Sequence, residues 1–157
     1  MVTTCVKSSI SLQSLTLNGM QISRVFLTAL PPWPNNERVP LLIYRNTYDP
    51  STHGDGASLF IKNGWTNPWT WQIFSYHHYH TITWEVLLCI KGKADVQFGG
   101  DEGIRTFLEE GDLVLFLLSV VHKQLSSTRD FTLLGAYPDH EGCHTPNFDT
   151  VRSAALK

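Results

Sequence analysis

The sequence predicts an all-β domain, either an antiparallel sandwich or a small barrel. From residue 72 onward, short runs rich in β-branched, aromatic and leucine residues are separated by turn signals about every eight to twelve residues. The long helical period that a βαβ unit requires is missing from this region. We therefore expect antiparallel strands, with at most short helices near the termini.

The strand-forming runs follow one another along the second half of the chain. Most are bounded by glycine, aspartate or serine, which favour tight turns. The predicted strands are residues 72–80, 85–90, 94–98, 104–108, 113–118 and 131–137. Before residue 60, prolines and asparagines leave two short strands, at 25–30 and 39–44. A helical turn is predicted at 58–63, and Gly64 ends it.

Composition indicates one compact domain over residues 1–157. The chain is 42% hydrophobic and 17% charged with a net charge of −2, which suits a single core and excludes a disordered chain. We divide it into an N-terminal extension or first strand (1–20), a motif-bearing core (72–137) and a tail that wraps the sheet (138–157). Basic residues are scattered, so no nucleic-acid partner is expected.

Cysteine usage and hydropathy indicate a soluble cytoplasmic protein. Cys5, Cys89 and Cys143 are odd in number and far apart, which is typical of free thiols in a reducing compartment. The first twenty residues lack the apolar core of a secretory signal, and no stretch reaches the roughly 18 apolar residues of a membrane span. We therefore expect no membrane partner.

Three histidines and one glutamate have the spacing of metal ligands. His78 and His80 lie two apart on a predicted strand, so both imidazoles face the same side. Glu85 opens the next strand, and His122 stands at the entrance of a later one. This set suits one divalent first-row metal, with Fe(II) expected first and Mn, Ni, Co or Zn as alternatives. A metal-free pocket that uses the histidines as acid and base is the other interpretation.

The joint pattern resembles the two motifs of the cupin superfamily. The first motif is His78-x-His80-x4-Glu85-x6-Gly92 and the second is Gly111-x10-His122. The resemblance covers roughly residues 72–137. Segments outside the motifs, at 34–36, 63–65, 76–80, 97–100 and 135–139, resemble an uncharacterised branch of small single-domain cupins found in bacteria and fungi.

This resemblance implies a conical β-barrel or jelly roll in which the four ligands converge on a metal. It also implies a homodimer, with residues 20–45 at the interface. The chain departs from the family pattern at four positions. Gln72 replaces a glycine, Leu117 and Ser119 replace the proline and glycine before the last histidine, and Ser126 stands where asparagine is common.

Other candidate site residues follow from strand parity. His77 and Tyr79 should face away from the ligands, which favours a packed histidine over a ligand at position 77. We name Glu85, His77 and Tyr76 as candidate catalytic residues, to move a proton or to orient substrate. The expected substrate pocket is lined by Gln72, Phe74, Trp84, Leu87, Cys89, Phe98, Phe116 and Leu118, unless these side chains simply fill the barrel.

Three function classes fit this site. The first is O2-dependent oxygenation of a small, largely apolar or aromatic molecule, in specialised metabolism as the resemblance implies. The alternative is a non-redox lyase, isomerase or cyclase that uses the metal as Lewis acid or the histidines as acid and base. The third is a ligand-binding module without turnover.

The acidic pairs at 101–102 and 109–110 are expected at solvated hairpin ends. His140, Cys143 and His144 are expected in a surface loop.

Overall fold

The structure, a computed structural model, describes residues 10–139 and the backbone of residues 151–153. In chain order its elements are β1 (Ser11–Leu17), β2 (Met20–Phe26), β3 (Leu41–Arg45), α1 (Pro50–His53), α2 (Gly56–Lys62), β4 (Trp65–Trp71), β5 (His78–His80), β6 (Glu85–Lys91), β7 (Lys93–Phe98), β8 (Ile104–Glu109), β9 (Leu113–Phe116), β10 (His122–Ser127), β11 (Thr132–Pro138) and β12 (Val151–Ser153). Cys5, His140, Cys143 and His144 lie outside the described residues.

The strands form two antiparallel sheets, which confirms the predicted all-β jelly roll. A seven-stranded sheet has the order β1-β2-β3-β9-β6-β11-β4, and a five-stranded sheet has the order β12-β5-β10-β7-β8. β5 and β10, which carry the predicted histidine ligands, are neighbours in the smaller sheet. β6, which begins with Glu85, lies in the larger one. The candidate ligands therefore come from both sheets.

Alternation along β6 separates two apolar clusters. Leu87 and Cys89 belong to the main core between the sheets, whereas Val86 and Leu88 pack into a second cluster with Phe60 of α2. Period-two geometry sends alternate side chains to opposite faces. Glu85 shares the parity of the inner set, so the strand points its carboxylate into the barrel.

The two helices lie between β3 and β4. α2 confirms the helical turn predicted at 58–63, whereas the short helices that the sequence allowed near the termini are not present in the described residues. An aspartate begins each helix: Asp49 accepts a hydrogen bond from Ser51 N, and Asp55 accepts one from Ser58 N. Gly64 follows α2 with φ of 81°, as expected of a helix stop. Neither helix, nor any other in the described part of the chain, has the length and apolarity to cross a membrane.

The predicted strand at 72–80 is wrong in its first part. β4 occupies Trp65–Trp71, residues 72–77 connect the two sheets, and only His78–His80 is a strand. Pro68 is compatible with β4 because that strand lies at the edge of its sheet, where a missing N–H can face outward. Asn67 has φ of 47°, which marks a local irregularity beside the proline.

The N-terminal strands also differ from the prediction. β1 and β2 form a hairpin closed by Asn18 and Gly19, which have φ of 51° and 81°. An Asn-Gly pair with both residues at positive φ is a strong hairpin signal. The sequence predicts a strand at 25–30, but β2 runs over Met20–Phe26 and pairs with β3.

Candidate metal centre

Two neighbouring strands bring three imidazoles together. His122 at the start of β10 lies opposite His78 on β5, and their ring centroids are 4.0 Å apart. His80 follows two residues after His78, so the pleat keeps it on the same face. One nitrogen from each of these histidines lies within 4.8 Å of the others, and all three residues are buried. The three histidines can therefore hold a metal ion.

Backbone contacts determine which nitrogen of two histidines faces the site. Nδ1 of His78 lies 3.2 Å from Tyr76 O, and Nδ1 of His122 lies 2.9 Å from Val120 O. A carbonyl oxygen only accepts, so each Nδ1 carries the proton and each Nε2 keeps a lone pair. Burial lowers the pKa of His78 to about 4 and holds the pKa of His122 well below its ordinary value. Both imidazoles are neutral at pH 7, the form that binds metals.

Glu85 supplies a fourth ligand-type atom from the opposite sheet. Its Oε2 lies 3.2 Å from His80 Nε2 and 3.6 Å from His122 Nε2. This oxygen is buried and has no hydrogen-bond partner in the described part of the chain. A buried carboxylate oxygen without a donor is unfavourable, and a cation among these nitrogens would satisfy it. Three imidazoles and one carboxylate therefore fit a divalent first-row metal.

Tyr137 of β11 completes the surroundings of Glu85 and is not among the residues that the sequence predicts for the site. Its hydroxyl donates to Glu85 Oε1 at 3.1 Å, and its ring meets the His80 ring edge-on at 5.8 Å. Burial and the neighbouring Glu85 raise the pKa of Tyr137, so the phenol stays protonated. Strand parity could have revealed this residue, because Tyr137 follows Phe131 and Leu133 of the inner core at intervals of two.

The segment before His122 is fixed by contacts that also went unpredicted. Ser119 has φ of 69° and donates its N–H to His80 O at 2.8 Å. Asn35 accepts a hydrogen bond from Val121 N at 3.2 Å and donates to Gly99 O at 2.9 Å and to Thr28 O at 3.0 Å. Asn35 lies in a proline-rich turn, where no sequence signal marks a buried asparagine. These bonds hold the entry to β10 and hence the position of His122.

The candidate catalytic residues His77 and Tyr76 have different surroundings. His77 packs its ring against Trp33 at 4.8 Å and places Nε2 3.1 Å from Asp101 Oδ1. It is turned to these partners and is not among the clustered ligand nitrogens. Tyr76 stacks on Phe74 and lies edge-on to His78. Of the two, Tyr76 contacts the candidate centre directly, and a catalytic role for either residue stays a prediction.

The candidate pocket residues divide into an inner and an outer group. Leu87, Cys89, Phe98 and Phe116 are fully buried in the core. The rings of Phe116 and Phe98 lie 4.5 Å and 6.5 Å from that of His122, so they form apolar packing behind this ligand. The outer group consists of Gln72 and Phe74 in a groove, Leu118 beside a surface depression, and Trp84 at 40% exposure. Contact of either group with substrate stays a prediction.

The chain is similar in sequence to a protein of Bacillus subtilis. No protein-family model matches the chain. The Uncharacterized protein YjlB of Bacillus subtilis is 42% identical over 105 residues, which cover 67% of this chain and 62% of that protein. The chain thus matches less than two thirds of the length of this relative.

Solved structures give only weak similarities. The TDP-fucose-3,4-ketoisomerase WlaRA of Campylobacter jejuni aligns with a TM-score of 0.44 at 8% identity, over 56% of this chain and 67% of that chain. RmlC of Streptococcus suis, solved with dTDP-D-xylose, aligns with a TM-score of 0.37 at 12% identity, over 83% and 71% of the two chains. Similarities of this size bear on neither substrate nor reaction.

Proposed function

We propose that the chain is a metalloenzyme that binds one divalent first-row metal through His78, His80, Glu85 and His122. The observation that carries the proposal is the buried Oε2 of Glu85, which lies beside two imidazole nitrogens and has no hydrogen-bond donor among the described residues. We also propose membership of the bacterial and fungal branch of small cupins, on the motif spacing of His78, His80, Glu85 and His122.

The reaction that this site supports best is a non-redox isomerisation, elimination or cyclisation of a small, largely apolar or aromatic molecule. A divalent metal of this class supplies Lewis-acid polarisation of a carbonyl or similar group when bound. The phenol of Tyr137 keeps its proton and donates a hydrogen bond to Glu85 Oε1. A protonated phenol can act as a general acid and a carboxylate as a general base. Isomerisation, elimination and cyclisation all require such a proton transfer.

The remaining residues keep the site dry and ordered. Phe116 and Phe98 pack behind His122, which excludes water from one side of the cluster. The carbonyls of Tyr76 and Val120 hold the tautomers of His78 and His122. O2-dependent oxygenation is the second candidate, because the same ligand set also suits Fe(II).

Metal binding is tested by mass spectrometry on untagged protein. We expect about one metal per chain in the wild type and in His53→Ala, since His53 is exposed and lies outside the cluster. His80→Ala and His122→Ala should lose the metal while circular dichroism shows a retained β-fold. Stoichiometric metal in both site variants, or a wild type that takes up none on titration with Zn²⁺, Mn²⁺ and Fe²⁺, would contradict the proposal.

The reaction class is tested by proton exchange without oxygen. Metal-loaded protein in D2O under nitrogen is incubated with 1-phenyl-2-propanone, and loss of the α-proton signal is followed by NMR. We expect exchange at least tenfold faster than with His122→Ala. Turnover that instead requires O2 would favour the oxygenase. If the metal-loaded protein shows neither activity, the enzyme proposal is contradicted and the protein is a binding module.

A further inference from the structure

A groove lies where the chain crosses from the larger sheet to the smaller one. It has a volume of about 580 Å³ and is lined by Trp71, Gln72, Phe74, Gln124 and Phe131, among others. None of the described residues that line it carries a charge. An uncharged lining disfavours ionic ligands, because a charged group placed there would lose water without gaining a counter-ion.

The groove adjoins the candidate metal centre. Phe74 lines it, and the Phe74 ring meets the His78 ring edge-on with centroids 4.9 Å apart. Gln124 lies two residues after His122 on β10, and its backbone N–H donates to Phe74 O at 2.9 Å. One wall of the groove therefore contacts one candidate ligand and is continuous in sequence with another.

Two glutamine side chains in the groove, Gln72 and Gln124, are oriented so that one amide oxygen accepts no hydrogen bond from the described residues. Gln72 Nε2 donates to Phe131 O at 3.0 Å, which turns Gln72 Oε1 toward Gln124 Nε2 at 3.3 Å. Gln124 Nε2 also donates to Ser127 Oγ at 3.2 Å. Gln124 Oε1 is consequently buried with no hydrogen-bond partner in the described part of the chain. A modest rotation about the soft terminal torsion of Gln124 would present this acceptor to a donor in the groove.

Trp71 provides an aromatic surface at the same place. It lines the groove at the end of β4 and is 69% exposed. An exposed indole offers a flat apolar face for a planar ring. The lining thus combines an aromatic face, an unused acceptor and the absence of charge.

We propose that this groove is a binding site, separate from the candidate metal centre, for an uncharged planar ring compound with a hydrogen-bond donor. The proposal goes beyond the proposed function and does not depend on it, because Phe74 lies between the groove and His78. Trp71 contacts the ring face, and Gln124 accepts a hydrogen bond from the donor.

The test is the affinity for 2-naphthol, an uncharged planar probe with one donor, measured by ligand-observed NMR. We expect saturable binding in the wild type and in Phe107→Ala, a matched loss of an exposed aromatic on β8. Trp71→Ala and Gln124→Met should each weaken binding at least fivefold, and the anion 2-naphthoate should bind at least fivefold more weakly. Equal affinities in Trp71→Ala and Phe107→Ala, or no saturable binding of 2-naphthol, phenol or indole, would overturn the proposal.

The same titration on chelator-treated protein and on His122→Ala separates this inference from the proposed function. If the wild type binds the probe in the groove but takes up no metal, the groove proposal is supported and the metalloenzyme proposal is contradicted. If the protein takes up metal but binds none of 2-naphthol, phenol and indole, the metalloenzyme proposal is supported and the groove proposal is overturned.

Discussion

Tyr137 holds one carboxylate oxygen of Glu85, at 3.1 Å from its hydroxyl, while the other oxygen faces His80 and His122. The two oxygens thus have separate surroundings, one with a protein donor and one with imidazole nitrogens. A carboxylate fixed in this way presents a single oxygen to a metal in a defined direction.

Removing the Tyr137 hydroxyl should weaken metal binding. We expect Tyr137→Phe to lower Zn²⁺ affinity by about tenfold, because partners that orient a ligand typically contribute this much. Competition with a chromophoric chelator measures the change. Tyr48→Phe is the control, since that hydroxyl donates to Gly54 O at the helices. Equal affinity in the two variants would show that Glu85 needs no such support.

Asn35→Ala should reduce both stability and metal affinity. The side chain makes three hydrogen bonds to backbone groups, one of them to the residue before His122. We expect a loss of about 2 to 3 kcal/mol in urea unfolding, since buried backbone groups would lose their partners. Asn36→Ala removes an acceptor in the exposed part of the same turn and should cost less than about 1 kcal/mol. Unchanged metal affinity in Asn35→Ala would limit that residue to a role in stability.

Ser119→Gly should stabilise the protein. Ser119 has φ of 69°, a conformation that costs an L-residue about 1 to 2 kcal/mol and glycine almost nothing. Glycine also gains freedom in the unfolded chain, so we expect a net increase of roughly 0.5 to 1 kcal/mol in the free energy of unfolding. Ser119→Ala retains the strain and serves as the comparison. A glycine variant less stable than the alanine variant would refute this expectation.

Cys89 should resist alkylation in the folded protein. Burial raises the pKa of its thiol to about 12, so the reactive thiolate is scarce at pH 7 and still scarce at pH 9. In a Cys5→Ser, Cys143→Ser background we expect iodoacetamide to modify Cys89 only after urea unfolding. An ordinary thiol would react faster across this pH range, because its pKa is about 8.5. Rapid labelling of the native protein that rises between pH 7 and 9 would contradict the prediction.

We further predict a homodimer that pairs through β1 at the edge of the larger sheet. The sequence analysis places the interface at residues 20–45, but β2 and β3 in that range already pair with a strand on each side. β1 is exposed along its whole length and lies at that edge, with Leu15 and Leu17 at 47% and 62% exposure. Unpaired strand edges recruit further strands, and lysine blocks them. Light scattering should give a dimer for the wild type and for Phe107→Lys, and a monomer for Leu15→Lys, Leu17→Lys. A monomeric wild type at 100 µM would contradict this.

The fold class and four ligand-type residues could be predicted from sequence because both depend on local periodicity. The two-residue spacing of His78 and His80 determines a shared face on any strand. The position of β4 could not be found in this way, because Pro68 argues against a strand until its edge location is known. α2 overlaps the helical turn predicted at 58–63, whereas α1 was not predicted, because its aspartate cap acts over only a few residues with little apolar periodicity to support it.

Residues that support the centre through long-range contacts were harder to find. Asn35 and Val121 are 86 positions apart in sequence, and no local pattern links them. Tyr137 stands 52 positions from Glu85, although its parity on β11 placed it on the inner face. Predicting these contacts requires the register between strands, which the sequence pattern of one strand does not contain.

The two apolar faces of β6 bear on how that strand finds its alignment. A half-exposed strand is aligned by its hydrophobic side, but β6 buries Leu87 and Cys89 on one face and Val86 and Leu88 on the other. A shift of the pairing register by one residue would exchange one apolar face of β6 for the other, at a small cost in hydrophobic free energy. It would also drive the carboxylate of Glu85 into hydrocarbon, far from any imidazole. Glu85, the proposed metal ligand, thus also disfavours the wrong pairing register of β6.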